Sequence, residues 1–431
     1  MPTRVLSPIE ATLCFFLILL VPFAATGLAL LNSGLGRCRS AAHAMLASIC
    51  VFGVSALVYV AFGFSLQGAI GLPSRDILIG AKPWNWIGAE PFFLRGLRLD
   101  TSPEALVVLL QMFSVGLAAI IPLSAGSDRW RLGAACASSA LLAGWTYPLF
   151  AHWVWAGGWL SQLGANCGLG RGFVDGGGAS TIQAVAGLSA LSMAWILGPR
   201  RGKFSSDGIP AAIPGHNAVL ALAGCLFAWI GWIALNSAGV LLFTAVPASR
   251  VVLITINTTL SAVASCLTAA VITRMRFGRP DASLTANGWI GGLVASSAAA
   301  AFLKPAVAIM VGAIAGVLVL STIDLLESRL AVDDPGGAVS VHAVAGILGL
   351  FAVCVSDAYA PGQFLAQLAG VSTLLGFILP LTYALNWLLN RFYPQRVSEE
   401  GERQGMDLYE LGAGAYPEFV VHSEEFSQRW N

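Results

Sequence analysis

The sequence predicts an all-α polytopic membrane protein with eleven transmembrane helices. Helices 1–5 and 6–10 are predicted to form a 5+5 inverted repeat, and helix 11 is an additional brace. Three observations predict this fold: composition, the positions of basic residues, and an internal repeat. The 431 residues are 57% hydrophobic and 10% charged, and the mean hydropathy is +0.77. A soluble domain carries roughly 25% charged residues.

Eleven apolar stretches are long enough to cross a hydrocarbon core of ~30 Å. Their approximate limits are 9–34, 41–67, 103–125, 132–154, 178–198, 217–240, 248–274, 284–302, 304–325, 339–356 and 363–390. The first stretch is too long for the apolar core of a signal peptide, so we interpret it as helix 1. The chain is therefore predicted to consist of a membrane domain, 1–392, and a polar tail, 393–431.

Basic clusters follow the odd-numbered helices. They are Arg37 and Arg39, Arg129 and Arg131, Arg200, Arg201 and Lys203, Arg274, Arg276 and Arg279, Arg329, and Arg391 and Arg396. The loop 69–101 also contains basic residues, but acidic residues accompany them. Since cytoplasmic loops carry an excess of Lys and Arg, the N-terminus is predicted outside and the C-terminus in the cytoplasm.

Two stretches of the chain repeat one arrangement. Asp175 leads through three glycines into helix 5, with Gln183 eight residues later. Asp334 leads through Pro335 and two glycines into helix 10, with His342 eight residues later. Eight helical residues rise ~12 Å, which places both polar side chains near the middle of a ~30 Å core.

Helices 1 and 6 also end alike, in ALLNSG and ALNSAG. Short motifs of this kind recur by chance in membrane helices, but two motifs in register favour a true repeat. A copy of five helices is odd in number, so the second copy is inserted upside down. Inverted repeats of this type place the substrate site near the midplane, at the interface between the copies.

The sequence also argues against several classes of function. A net charge of +1 gives no case for nucleic-acid binding. The eight cysteines are scattered and form no CxxC pair or His/Cys cluster, so they are interpreted as packing residues. Neither a catalytic constellation nor a nucleotide loop nor a metal cluster is present, so we predict no enzyme and no cofactor. Gly312 and Gly316 form a GxxxG pair, which is typical of close helix packing.

Several segments resemble the ammonium transporter (Amt) family over nearly the whole chain. They are AHWVWAGGW at 151–159, Asp175 with its glycines, LGPRR at 197–201, Gly231-Trp232 with Asn236, Val332 to Pro335 followed by Val341-His342, and Gly405-Met406-Asp407 with Ala415-Tyr416. The resemblance implies a homotrimer in the cell inner membrane with a pore through each subunit. It also implies ammonium capture outside, passage of ammonia with or without a relayed proton, and a tail that binds a PII-type nitrogen signal protein.

The resemblance assigns pore roles to five residues. Trp155 stands where the family offers a cation–π surface to ammonium. Asp175 lies near the same mouth, although its place before a glycine run is also typical of a helix cap, and both roles are compatible. His342 corresponds to the second of two facing pore histidines, and ionisable residues at this depth are usually functional. Trp232 and Asn236 match the family's helix 6 motif.

The departures from the family lie along the pore. Gln183 replaces the first histidine, and an amide does not titrate near neutral pH, so a relay of two imidazoles is not available. The alternative is that the amide replaces the imidazole with little consequence. The family's two stacked phenylalanines correspond to Ser114, with Phe113 one residue before it, and to Leu235. The serine that helps to bind the outer ion corresponds to Gly239.

Three functions stay open at this point: an ammonium transporter or channel with an altered pore, a channel for another small solute (an amine, an amide or a gas), and a non-conducting sensor that binds a partner. The tail is rich in glutamate, which is typical of disorder. However, its apolar and aromatic anchors at 406–409 and 416–419 could dock on the inner face or on a partner. Leu411 and Ala413 replace the His and Glu of the family's tail signature.

Overall fold

The protein is a bundle of long helices in the computed structural model, which describes residues 6–244 and 246–416. The eleven long helical segments are α1 (Pro8–Leu35), α2 (Cys38–Gln67), α3 (Pro103–Ala125), α4 (132–155), α5 (Ala179–Leu197), α6 (Ala218–Phe243), α7 (Ala248–Phe277), α8 (Ala282–Ser296), α9 (Pro305–Ser328), α10 (Val339–Val355) and α11 (Gln363–Phe392). Eight of them are long and apolar enough to cross a membrane, and α4, α8 and α10 are the other three. The predicted polytopic helical architecture is confirmed.

Most helix limits agree with the apolar stretches to within a few residues, but α8 ends earlier than predicted. It ends at Ser296, not at 302, because residues 297–302 form turns whose carbonyl groups bond elsewhere. The Ala298 carbonyl accepts the Gly176 N–H at 3.1 Å. The amide of Asn257 donates to the Ala300 carbonyl at 2.8 Å. This turn therefore supports the segment that enters α5.

A β-hairpin between α2 and α3 was not predicted from the sequence. Strands β1 (Ser74–Ile79) and β2 (Lys82–Gly88) pair antiparallel. The hairpin is fastened to the end of α4, because the indole N–H of Trp153 donates to the Trp86 carbonyl at 2.8 Å. His152 Nε2 also lies 2.8 Å from Asn85 Oδ1. This attachment orients the last turn of α4, which carries Trp155.

The predicted GxxxG contact is present between α7 and α9. A Cβ atom placed on Gly316 would lie 2.6 Å from the Ser265 carbonyl oxygen, closer than any side chain could fit. Small residues therefore hold the helices together at backbone contact, as expected in an apolar solvent that gives no hydrophobic drive between helices.

Shorter helical segments outside the eleven are Phe92–Leu94, Trp159–Cys167, Glu399–Gln404 and Asp407–Leu411.

Candidate functional site

Gln183 and His342 meet in the interior of the bundle. Nδ1 of His342 lies 2.7 Å from Oε1 of Gln183. Gln183 is fully buried, whereas His342 keeps 4% of its surface accessible. Each lies in a π-helical turn that opens its helix, Ala179–Ala184 in α5 and Val339–Val344 in α10. Turns of this kind are frequent at functional sites, and here they bring the two predicted midplane residues together.

Two aspartates cap the helices that carry this pair. Oδ1 of Asp175 accepts the Gly178 and Ala179 N–H groups at 2.9 and 2.8 Å. Its Oδ2 accepts the Ser180 N–H at 2.9 Å and the Ser180 hydroxyl at 2.5 Å. Asp334 accepts the N–H groups of residues 338 and 339 at 3.0 and 2.7 Å. The predicted capping role of Asp175 is thereby confirmed, and its carboxylate is engaged by the start of α5.

Trp155 is fixed at the mouth of the bundle, the end at which α4 and α6 finish. Its indole N–H donates to the Asp175 carbonyl oxygen at 2.7 Å. One face of the indole is covered by Phe243, with ring centroids 4.4 Å apart and planes 8° from parallel. The predicted cation–π surface is therefore occupied by a side chain on that face. Phe243 was missed in the sequence analysis, although it follows Gly239 by one helical turn.

Two cavities flank the stacked pair at the mouth, and both rings line both cavities. The larger has a volume of about 170 Å³ and also contacts Arg171. The smaller has a volume of about 40 Å³ and also contacts Glu104 and Gln67. Each is large enough for a molecule of the size of water.

The other mouth positions carry no stacked phenyl pair at the residues aligned with the family. Ser114 and Leu235 are buried, at 0% and 1% exposure. Phe113 does not replace the ring missing at Ser114, because it turns away and stacks on Phe52 of α2 at 6.4 Å between centroids. Gly239 packs on backbone, since a Cβ atom there would lie 2.6 Å from the Gly176 carbonyl oxygen.

The α6 motif residues lie on the far side of the pair. The indole N–H of Trp232 donates to Ser297 Oγ at 3.1 Å, and its ring centroid lies 6.4 Å from that of His342. The amide of Asn236 donates to Thr258 Oγ1 at 3.0 Å. Trp232 therefore borders the imidazole, whereas Asn236 joins α6 to α7.

A buried charge cluster lies at the opposite end of the bundle. We call this end the tail face, and it carries the loops 36–40, 126–132 and 198–217. Nε and Nη2 of Arg200 lie 2.9 and 3.0 Å from the two carboxylate oxygens of Asp333, and its Nη1 lies 3.3 Å from Asp128. The cluster ties together the loops that follow α3, α5 and α9.

Electrostatics stabilise the ionised state of this cluster. Burial alone would raise the pKa of Asp333, but hydrogen bonds from Arg200 and the charge of Arg129 outweigh it, and the pKa lies below its ordinary value. Burial alone would lower the pKa of Arg200, but its bonds to Asp333 raise it overall. Arg129 is fully enclosed, and burial lowers its pKa to about 10. All three groups stay charged at neutral pH.

The described part of the tail folds back onto the tail face. Oδ1 and Oδ2 of Asp407 accept the N–H groups of His43 and Ala42 at 2.7 and 3.2 Å. Oε2 of Glu410 accepts the Leu132 N–H at 2.8 Å and lies 2.9 Å from His43 Nε2. Burial alone would raise the pKa of Glu410, but these hydrogen bonds lower it overall. The tail therefore joins the starts of α2 and α4.

Of the two predicted tail anchors, the first docks on the bundle. Met406 is fully buried. The second begins at Tyr416, whose Oη lies 3.0 Å from His216 Nε2. Its remaining residues, 417–419, lie outside the described part of the chain.

Comparison with known proteins identifies the family. The sequence signature of the Ammonium Transporter Family matches residues 11–416. The chain is 34% identical to the ammonium transporter Amt2 of Archaeoglobus fulgidus, over 96% of this chain and 89% of that protein. It is 29% identical to the ammonium transporter of Bacillus subtilis, over 94% and 98% of the two chains.

Solved structures agree with the sequence comparison. A sensor Amt protein matches with a TM-score of 0.83 and 26% identity, over 93% of this chain and 98% of the other. Mep2 of Candida albicans has the same fold, with a TM-score of 0.77 and 23% identity over 95% and 90%. This protein belongs to the ammonium transporter family.

Proposed function

We propose that the protein is an ammonium transporter or channel whose pore passes between Gln183 and His342. The observation that carries the proposal is the 2.7 Å contact of these two side chains, in a chain whose family is defined by ammonium transport. A buried amide and imidazole, one from each predicted repeat, supply both donors and acceptors near the midplane. A small nitrogen compound such as ammonia donates and accepts hydrogen bonds, so it can use both kinds of group.

The chemistry of the pair follows from its hydrogen bond. With the amide oriented so that Oε1 faces the ring, Nδ1–H of neutral His342 donates to Gln183. This fixes the tautomer and leaves Nε2 as an acceptor. The Nε2 group of Gln183 is a buried donor that finds no partner among residues 6–244 and 246–416. Ammonia can therefore donate to the imidazole and accept from the amide, but only His342 can take up a proton.

The arrangement in the membrane is part of the proposal. Residues 1–392 form the membrane domain in the inner membrane, with eleven spans, a 5+5 inverted repeat, the N-terminus outside and the C-terminus inside. The matching caps of α5 and α10 support the repeat, and the basic residues of the tail face support the orientation. A homotrimer with one pore in each subunit follows from the family resemblance.

The tail, 393–431, is proposed as the site at which a PII-type signal protein acts. Glu402 supports this proposal, because its two carboxylate oxygens accept the Arg201 N–H at 2.7 Å and a bond from Arg396 at 2.8 Å. A partner that competed for these contacts would reach the loops directly below the pore.

The decisive experiment is a current recording on a supported membrane that carries purified protein, after an ammonium pulse. We compare the wild type with Gln183→His. A wild-type current that decays as liposomes adsorbed on the supported membrane become electrically charged supports electrogenic transport through the Gln183–His342 pair. Current only in Gln183→His means that this position blocks conduction. An absence of current in both folded variants, together with an absence of ammonia flux measured by the internal pH of liposomes, contradicts the proposal.

A second candidate is a non-conducting ammonium sensor. It is favoured by the covered face of Trp155 and by a solved relative described as a sensor Amt protein. The test is ammonium binding without flux, together with loss of the cellular response when residues 398–431 are removed. The third reading, a channel for another small amine, an amide or a gas, requires a permeant other than ammonium in a liposome screen.

A further inference from the structure

One face of α6 carries three residues spaced by four positions: Leu235, Gly239 and Phe243. Residues at this spacing lie on one side of a helix. This face lies against the residues that form the mouth, since Gly239 contacts the backbone of Gly176 and Phe243 stacks on Trp155. The position aligned with the family's ring, Leu235, carries an aliphatic side chain. A ring is present instead two turns further along, ~12 Å towards the mouth.

The stack leaves no room for a cation between the two rings. Their centroids are 4.4 Å apart and the planes are 8° from parallel. A cation held between two rings needs a separation of about 7 Å, twice the contact distance of ~3.5 Å. Trp155 is also held in place by its hydrogen bond to the Asp175 carbonyl. For a cation to use this face of the indole, Phe243 has to move.

Phe243 is placed to make such a movement. It is the last residue of α6, and its side chain is partly exposed. The cavity of about 170 Å³ that it lines offers space beside the indole. Charged residues line both cavities: Arg171 and Asp175 line this one, and Glu104 lines the smaller one. Trp155 and Phe243 line both cavities, so a solute held in either cavity can contact Phe243.

We propose that Phe243 is the aromatic gate of this pore, which covers the Trp155 face and admits a small cation only when its ring swings aside. Phe243 closes the mouth with an aromatic ring, a function that the positions of Leu235 and Ser114 cannot supply because neither side chain has a ring. This inference rests on the proposed transport function for its effect on selectivity, but the covering of Trp155 is independent of transport. A gate made of one ring excludes larger alkylated ammonium ions.

The test uses Phe243→Ala and Phe243→Leu in the full-length protein. Leucine keeps most of the apolar bulk but removes the ring. The matched control is Phe227→Ala, which removes another parallel-stacked ring of α6, 5.9 Å from Phe23 and far from the mouth. The first readout is quenching of indole emission by external Cs⁺. Trp155→Phe in the wild-type and Phe243→Ala backgrounds isolates the signal of Trp155.

The second readout is the ratio of methylammonium flux to ammonium flux in liposomes. We expect Phe243→Ala to gain a quenchable component that disappears with Trp155→Phe, and to raise the methylammonium ratio several-fold. Phe243→Leu should change in the same direction by less, and Phe227→Ala should match the wild type. Quenching that does not increase in folded Phe243→Ala overturns the gate. Increased quenching without flux of either ion in any variant supports the cover over Trp155 and contradicts the transport function.

Discussion

Nδ1 of His342 lies 2.7 Å from Oε1 of Gln183, and with this orientation of the amide the imidazole is held in the tautomer that is protonated at Nδ1. In a pair of histidines, either ring can donate and either can take up the proton. In this protein the amide does not titrate near neutral pH, so the imidazole is the one titratable group of the pair. The pair is therefore chemically asymmetric: Gln183 supplies a hydrogen-bond partner for the ring, and His342 supplies the titratable group.

Gln183→Ala should lower ammonium flux by roughly tenfold, because one buried hydrogen bond of ~1.4 kcal/mol no longer orients His342. The measurement is the initial current after an ammonium pulse, with the amount of folded protein matched by size-exclusion chromatography. Gln183→Asn is the comparison variant, since it keeps the amide but shortens its reach. Equal currents in Gln183→Ala and the wild type would show that the ring needs no partner.

Asp175→Ala should destabilise the fold more than the loss of an ordinary cap. Asp175 accepts bonds from several N–H groups at the start of α5, whereas Asp281, the cap of α8, accepts one from Leu284 at 2.8 Å. Loss of a single cap costs about 0.5–2 kcal/mol. Each further buried donor left without a partner adds about 1–3 kcal/mol.

The measurement for Asp175→Ala is the unfolding free energy from a denaturant titration in mixed micelles, with Asp281→Ala as the matched control. A smaller loss of stability in Asp175→Ala than in Asp281→Ala would contradict the structural role of this cap. A current recording on the same sample separates stability from any role in ion capture.

Much of the site could be predicted from the chain because it depends on local spacing. The equal spacing from Asp175 to Gln183 and from Asp334 to His342 places the two polar side chains at equivalent positions after their caps, each in the first turns of its helix. The cap of α5 is equally local. The contact between Gln183 and His342 could be predicted only from the repeat, because the repeat places the two side chains at matching positions in its two copies.

Other parts of the site depend on contacts that no local pattern encodes. Phe243 stacks on Trp155, 88 positions earlier, whereas the resemblance to the family assigns the ring positions to Ser114 and Leu235. The β-hairpin was not predicted, because its strands lie in the loop 69–101, outside the long apolar stretches that predict the helices. Asp407 bonds to the backbone near His43, more than 360 residues away. The anchor at 406–409 indicated docking but not its position.

Arg200→Met should destabilise the protein by about 3–5 kcal/mol, because it leaves the buried carboxylates of Asp333 and Asp128 with reduced compensation. The matched control is Arg276→Met, which removes an exposed ion pair with Asp324 and should cost less than about 1 kcal/mol. Unfolding free energies in mixed micelles give both values. Similar losses in the two variants would mean that the buried cluster contributes no more than a surface pair.

Glu410→Gln should loosen the tail at neutral pH. The pKa of Glu410 is below its ordinary value of 4.5 when the tail is docked. A carboxylate with a lowered pKa stabilises the docked state fully above its ordinary pKa, and this stabilisation is lost as the pH falls through the lower, docked value. Wild-type docking should therefore not change between pH 7 and pH 5.5 through this group, and should weaken below about pH 4.

Hydrogen exchange of the backbone amides in 399–411 measures this docking. We expect faster exchange in Glu410→Gln than in the wild type at pH 7. Glu399→Gln is the matched control, because Glu399 pairs with Arg201 at the surface and its side chain is 82% exposed, so its exchange should stay close to that of the wild type. If Glu410→Gln exchanges as slowly as Glu399→Gln, the carboxylate does not hold the tail, and the contacts of Asp407 alone account for docking.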